Sequence, residues 1–358
     1  MTRRFRVIDT GIREGRRQIA FDQAMIDARK AGTIPDSIRF LRFPPTVLIG
    51  RHQALSQEVK LDYCRGRGIG VARRITGGGT IYFDQGQLGW ELVFNRATLG
   101  IASLADLVRE ICEAAAAGLS RLGVSARYRP RNDIEVDGRK ISGTGGFFDD
   151  DTLFYQGTVL VDLNPADMVA ALNVPEAKLA KRALDSAAQR VVTLRELLGA
   201  APDIETIKEA LLAGFAERLG VEPVQGTITP GEEALAAKYY DEEIGTDAFV
   251  AEIDDPGADA EVLAGSHTGP GGTVSAYVRL EGPARDRIRE VLITGDFFVT
   301  PPRTVFDLEA RLRGAPVSQI GAAVEGFFAE AKVGLLTVAP GDFRTAIEAA
   351  LQGTKQKH

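Results

Sequence analysis

At 358 residues, with 44% hydrophobic and 26% charged side chains, the sequence is long enough for one large domain and a smaller one, and its composition is that of a globular protein. The formal charge of −6 argues against a protein that coats nucleic acid or an anionic membrane, since both demand a net basic face. Cys64 and Cys112 are the only cysteines; their spacing and lack of neighbouring histidines exclude a disulfide framework or a zinc site and point to a reducing cytoplasm.

The opening FRVID reads as a strand with no apolar leader before it, and 18 consecutive apolar residues occur nowhere, so neither secretion nor a membrane span is expected. Residues 18–31 place Ile19, Met25 and Ile26 at helical spacing. IRFLRF and TVLIG come next as strands separated by the rigid Pro44-Pro45. Between Ile69 and Asn95 the pattern predicts successive antiparallel strands, interrupted by Gly77-Gly78-Gly79 and the turn-like DQGQLG. Ser103 is a suitable N-cap for a helix to about Leu122, stopped by Gly123.

Strands are expected at 124–128, 133–136 and 153–163, with Asp137-Gly138 as a type I′ hairpin turn leading into Lys140-Ile141. Helices are expected at about 165–172, 193–199 and 203–219, then one opened by the capping box Thr229-Pro230-Gly231-Glu232 and ending near Gly245. The pattern breaks at IDDPGADAE, 253–261, which reads as a linker. Beyond it come two strands around AGSHTGPGGT, a strand near 288–293 and helices near 304–312, 319–331 and 342–351, a small α+β arrangement.

Chemistry concentrates in two elements. The first runs Arg73-Arg74-Ile75-Thr76-Gly77-Gly78-Gly79-Thr80-Ile81-Tyr82-Phe83-Asp84: two guanidinium groups suited to carboxylate or phosphate, then glycines that let backbone N–H groups approach an anion or an acyl chain. Taken alone the triplet fits a bulge or tight connection equally well. The second pairs Arg131-Asn132-Asp133-Ile134 with Gly138-Arg139-Lys140-Ile141-Ser142-Gly143-Thr144-Gly145-Gly146 across the predicted turn. Neither matches GxxxxGK[ST], and no GxGxxG opens a helix after a strand, so the P-loop and dinucleotide readings fail.

In this order the two elements resemble the lipoate-protein ligases, whose pattern is RRxSGGGxVxHD followed by NDI and a lysine segment of KIsG type. The resemblance extends to Ile49-Gly50-Arg51-His52-Gln53, to Phe21-Asp22-Gln23-Ala24, and to Lys178 with Arg190-Val191-Val192-Thr193-Leu194-Arg195-Glu196. It weakens toward the C-terminus, where GDFF near 295–298 and FDLEARLRG carry it. It implies an α/β (α+β) fold: a mixed-sheet catalytic domain shared in kind with biotin ligases, over 1–250, and a small α+β accessory domain over 251–358. It also implies a cytoplasmic enzyme that takes lipoate and ATP with Mg²⁺. Lipoate carboxylate attacks the α-phosphate, pyrophosphate leaves, and the acyl-adenylate is attacked by a lysine of a lipoyl domain or glycine-cleavage-H-like carrier.

Carried residue by residue, the resemblance makes Lys140 catalytic, its ammonium neutralising charge that builds at the α-phosphate. A lone lysine after a hairpin turn is more often simply solvated; the flanking pattern singles this one out. Arg74, supported by Arg73, becomes the clamp for carboxylate or phosphate, and Gly77, Gly78, Gly79, Thr80, Asp84, Ser142 and Gly143 line the substrate groove. Asn132, Asp133, Lys140 and Lys178 fall to the nucleotide, with Asp133 as the oxygen ligand for Mg²⁺. His52 is expected to be structural or adenylate-adjacent rather than a general base.

One departure stands out: Phe83 precedes Asp84 where the family carries histidine, a change that narrows or dries the pocket or alters chain-length preference. Three rivals remain. An octanoyl- or lipoyl-transferase working through a cysteine thioester needs an activated thiolate, and neither cysteine follows the lysine segment. Biotin ligation is suggested superficially by Arg65-Gly66-Arg67-Gly68-Ile69-Gly70. A noncatalytic module that binds lipoyl carriers would retain the acceptor surface without the chemistry.

Overall fold

The computed structural model describes residues 3–101, 103–130, 132–173, 189–259, 261–331, 333–335 and 337–353. The chain divides into two compact units. The first comprises Met1–Leu48, Val59–Arg73 and Ile81–Val250; the second comprises Ile49–Glu58, Arg74–Thr80 and Ala251–His358. The second unit thus takes the glycine triplet along with the C-terminal third.

Strands of the first unit are β1 (Arg3–Ile12), β2 (Ser37–Arg42), β3 (Thr46–Ile49, all but its last residue), β4 (Gly70–Arg73), β5 (Ile81–Phe83), β6 (Gln87–Asn95), β7 (Arg127–Arg129), β8 (Asp133–Val136), β9 (Arg139–Asp149), β10 (Thr152–Leu160) and β11 (Val221–Gln225). Eight form one mixed sheet in the order β11-β1-β2-β6-β10-β9-β8-β7, with β1 parallel to both its neighbours and the rest antiparallel. The mixed α/β class expected from the sequence is the observed one.

One face of the sheet carries the helices Leu104–Ser120 and Ile204–Leu219. Ser103 caps the first, its hydroxyl accepting from Asp106 N–H at 3.3 Å. The two helices meet through small residues: a Cβ on Gly214 would lie 2.3 Å from the Ala114 carbonyl oxygen. Trp90 and Phe215 pack beneath them with ring centres 5.4 Å apart, both fully buried. On the other face Arg39 of β2 is fully buried and binds Asp22 at 2.6 Å, Glu91 at 2.9 Å and Gln18 at 2.6 Å. Burial pushes both carboxyls up, Asp22 further raised by its acidic neighbour, so that one guanidinium serves two acids.

Between Ile69 and Asn95 the observed strands are not successive neighbours. β4 and β5 flank β3 in a separate three-stranded sheet, and β6 belongs to the large one. The glycine run breaks the expected meander, Gly78 adopting φ +89°. IRFLRF and TVLIG likewise fall in different sheets. The hairpin turn is as expected, with φ of +50° at Asp137 and +80° at Gly138.

In the second unit β12 (Leu263–Gly269), β13 (Gly272–Glu281) and β14 (Arg287–Gly295) form an antiparallel meander, and β15 (Val299–Thr300) pairs with β16 (Gly334–Leu335). Helices Thr304–Leu312, Ile320–Glu330 and Pro340–Leu351 close a core built on Val274, Ile293, Leu308, Val324, Phe343 and Ile347. Among the described residues no helix is long and apolar enough to cross a membrane.

Candidate active site

The β8–β9 hairpin positions Lys140. Its register runs Val136↔Arg139 and Glu135↔Lys140, then slips: Ile134 faces Ser142 and Asp133 faces Gly143. Ile141 is the extra residue, a bulge that re-aims the strand beyond it. Lys140 therefore shares a face with Gly143 and Asp133. Its ammonium lies 2.8 Å from Asp133 Oδ1 and fills the place of a missing side chain: a Cβ on Gly143 would stand 2.6 Å from Lys140 Nζ. Arg129 binds the other Asp133 oxygen. Burial pushes the Asp133 carboxyl up, but Lys140 and Arg129 outweigh it and hold the group below its ordinary value.

The backbone around this lysine is fixed from two sides. Val192 N–H donates to the Lys140 carbonyl at 2.9 Å, so the 191–192 stretch runs alongside it. Asn132 donates through Nδ2 to the Thr144 carbonyl at 2.8 Å, and Thr144 returns its N–H to the Asn132 carbonyl at 2.8 Å. Alternation puts Ser142 on the face opposite Gly143; it is fully buried, and its hydroxyl has no hydrogen-bond partner among the described residues. Sequence reasoning missed Arg129 and Thr158, whose Oγ1 accepts from Gly143 N–H at 3.3 Å. Arg129 was detectable by counting back from the turn, since it pairs with Asp133.

Arg73 and Asp84, also in the first unit, are engaged elsewhere. Arg73 is fully buried, and its guanidinium donates to the carbonyls of Phe249 at 3.1 Å and Val250 at 2.8 Å. Asp84 accepts from Gly86 N–H at 2.8 Å, pinning the turn before β6; burial pushes its carboxyl up. Phe83, at the family's histidine position, is buried with its ring 4.7 Å from that of Phe43. The position has become part of an apolar core.

Residues Arg74–Thr80 of the first motif lie in the second unit. Arg74 is buried and ties the loop together, donating to Thr76 Oγ1 at 3.3 Å and to the carbonyls of Gly77 at 3.1 Å and Gly79 at 2.8 Å. Burial lowers its guanidinium to about 10. Gly78 N–H donates to the Phe297 carbonyl at 2.9 Å. A Cβ on Gly77 would stand 2.1 Å from that carbonyl oxygen, and one on Gly78 would meet the Phe298 ring at 2.5 Å. Thr80 donates to Gln53 Oε1 at 2.8 Å and lies 3.2 Å from Glu58. His52 is buried and stacks on Phe297 at 5.4 Å. Lys178 lies outside the described residues.

Both cysteines are buried. Burial pushes the Cys112 thiol up to about 11, against hydrogen bonds with Thr144 and Tyr155, and raises Cys64 as well. Among the described residues no group of three His, Cys, Asp or Glu side chains is arranged to hold a metal ion.

Residues 14–216 match the model of the lipoyl protein ligase A/B catalytic domain. The chain is 31% identical over 244 residues to lipoate-protein ligase A subunit 1 of Thermoplasma acidophilum, spanning 65% of this chain and 91% of that protein. It is 30% identical over 270 residues to octanoyltransferase LipM of Symbiobacterium thermophilum, spanning 69% and 98%. Among solved structures it is similar to a bi-partite lipoate protein ligase of an archaeal lipoylation system, described with its E2 lipoyl domain, from T. acidophilum. That likeness has 28% identity and a TM-score of 0.64, over 70% of this chain and 97% of the other. A lipoate-protein ligase A bound with ATP is similar at 27% identity and a TM-score of 0.61, over 71% and 100%. The sequence motifs, the large mixed sheet and these likenesses agree: the chain belongs to the lipoyl protein ligase A/B catalytic-domain family.

Proposed function

We propose that this protein is an ATP-dependent lipoate-protein ligase, which activates lipoate as lipoyl-AMP and passes the acyl group to a lysine of a lipoyl carrier. The observation that carries the choice of chemistry is the state of the nucleophiles. A thioester transferase needs an accessible thiolate, whereas both cysteines are buried and burial raises both thiols. Without a covalent acyl-cysteine, the acyl group needs another good leaving group, and AMP supplies it.

The residues around Lys140 fit an anionic substrate. An ammonium keeps donors beyond its ion pair with Asp133, it is partly open to solvent, and Gly143 beside it offers no side chain to block approach. In this reading Lys140 neutralises charge at the carboxylate and α-phosphate as the P–O bond to pyrophosphate breaks. Within the second unit Arg74 holds the Gly77–Gly79 loop in shape, the form in which the family's substrate motif would act, and within the first unit Arg73 fixes the 249–250 backbone. Mg²⁺ enters with ATP as counter-ion of its phosphates. The carrier reading is supported by the lipoyl domain described with the T. acidophilum ligase.

The likeness to LipM favours a second reading, transfer of octanoate from a thioester without ATP. One experiment separates them: intact-mass analysis of a lipoyl carrier incubated either with lipoate, ATP and Mg²⁺ or with an octanoyl thioester and no ATP, using wild type, Lys140→Ala and a Cys64→Ala/Cys112→Ala pair. The ligase reading expects one lipoyl mass added only with ATP, retained by the cysteine variant and reduced by about a thousandfold in Lys140→Ala. Transfer from an octanoyl thioester without ATP, lost in the cysteine variant, would establish the transferase instead.

A further inference from the structure

We infer that Asp133 is the positioning residue of Lys140 and not a ligand of Mg²⁺. The inference rests on the reading of Lys140 as the catalytic group and adds what aims it. Register is the first support. With a two-residue turn and no bulge, Asp133 would face Ser142, whose side chain would occupy the space beside the carboxylate. The extra residue Ile141 brings Gly143 there instead, and the lysine side chain lies in the room so created.

Occupancy of the carboxylate is the second support. Arg129 donates to Oδ2, and Lys140 Nζ lies 2.8 Å from Oδ1 as an ion pair without a well-directed hydrogen bond, so both oxygens face cations. Arg129 is itself held by Glu135 at 3.4 Å, and Glu135 by Arg127 at 2.8 Å, an alternating row along β7 and β8 that fixes the carboxylate from behind. A dication placed on Asp133 would meet two like charges at once, and no cluster of acids among the described residues would help to hold it. The donor set fits an ammonium, not a metal.

The test uses the full-length protein with Asp133→Asn and Asp133→Glu. Asp133→Asn is expected to lower kcat for lipoate-dependent pyrophosphate release about thirtyfold, with KM for lipoate and ATP within about threefold, because misplacing the ammonium harms the transition state more than binding. Asp133→Glu, which restores the charge, is expected to recover most of that loss. Mn²⁺ binding in the presence of a non-hydrolysable ATP analogue, read by electron paramagnetic resonance, is expected to be unchanged in both. An Mn²⁺ affinity about tenfold weaker in Asp133→Asn would overturn the inference in favour of a metal ligand, on the usual cost of losing a ligand group.

A second readout needs no ligase activity: the rate at which acetic anhydride labels Lys140, followed by peptide mass. Release of the ammonium in Asp133→Asn is expected to raise that rate about fivefold, since an amine no longer held against the carboxylate is more open to the reagent. An unchanged labelling rate would overturn the positioning role. Wild-type protein that makes no pyrophosphate, but shows the labelling difference, would instead sink the ligase reading and leave the pairing of Asp133 with Lys140 standing.

Discussion

Two glycine-bearing segments carry the family motifs, and they use the missing side chain in opposite ways. At Gly143 the space is filled by the mobile end of Lys140, 2.6 Å from where a Cβ would stand. At Gly77 the space is filled by backbone, the Phe297 carbonyl oxygen lying 2.1 Å from the same point. A flexible ammonium can swing aside for a ligand; a carbonyl in a packed core cannot. Glycine in the first segment therefore serves the reach of one side chain. In the second it serves the seating of a loop on residues more than two hundred positions away.

The sharpest way to break this comparison is Gly77→Ala. A methyl group there must displace the 297–298 backbone, which also receives Gly78 N–H. The expected cost is about 3 kcal/mol, at the upper end of overpacking penalties, read as a fall in the urea midpoint of the second unit. A midpoint within error of wild type would mean that the glycines are kept for ligand approach alone.

Legibility in the sequence tracks the range of the interactions. Asp137-Gly138 announced its turn because both left-handed residues are neighbours, and Lys140 was placed by that turn. The bulge at Ile141 was not legible: nothing local distinguishes a slip that brings Gly143 rather than Ser142 opposite Asp133. Nor was the partner of the glycine triplet, since GDFF read as a separate and weaker likeness. Phe83 was read as a change in the pocket; its contact with Phe43 was not legible, since no spacing rule connects the two. β11 was missed because VEPVQ alternates poorly and contains Pro223, tolerable only because the strand is at the sheet edge.

Acidity tests the second region from behind. Glu309 accepts from Ile293 N–H at 2.7 Å, holding β14 two residues before the Gly295–Phe298 segment. Burial pushes its carboxyl up to about 7; the bond from Ile293 opposes the rise and Glu252 adds to it. Folding thus favours the protonated form, so this contribution is fully present below the ordinary glutamate value and is lost as pH rises through about 7. Glu309→Gln keeps an acceptor without the charge. Relative to wild type it is expected to stabilise the second unit by up to about 3 kcal/mol near pH 8 and by little near pH 5. An equal difference at both pH values would show that Glu309 does not titrate with folding.

Gly143→Ala has the smallest expected effect on stability and tests the other half of the comparison. Position 143 lies in β9, and among the described residues a new Cβ would meet Lys140 Nζ at 2.6 Å and Cε at 2.7 Å, both at the end of a flexible chain. The chain can move, so the melting midpoint is expected to change by no more than about 0.5 kcal/mol equivalent. Moving it, however, lifts the ammonium from its place beside Asp133, and adenylate formation is expected to fall about tenfold through kcat. The two alanine variants should then cross over: Gly77→Ala fails mainly in stability, Gly143→Ala mainly in turnover. Loss of stability in Gly143→Ala comparable to that in Gly77→Ala would collapse the distinction, because it would mean that Lys140 is packed as rigidly as the Phe297 backbone and is not free to meet a substrate.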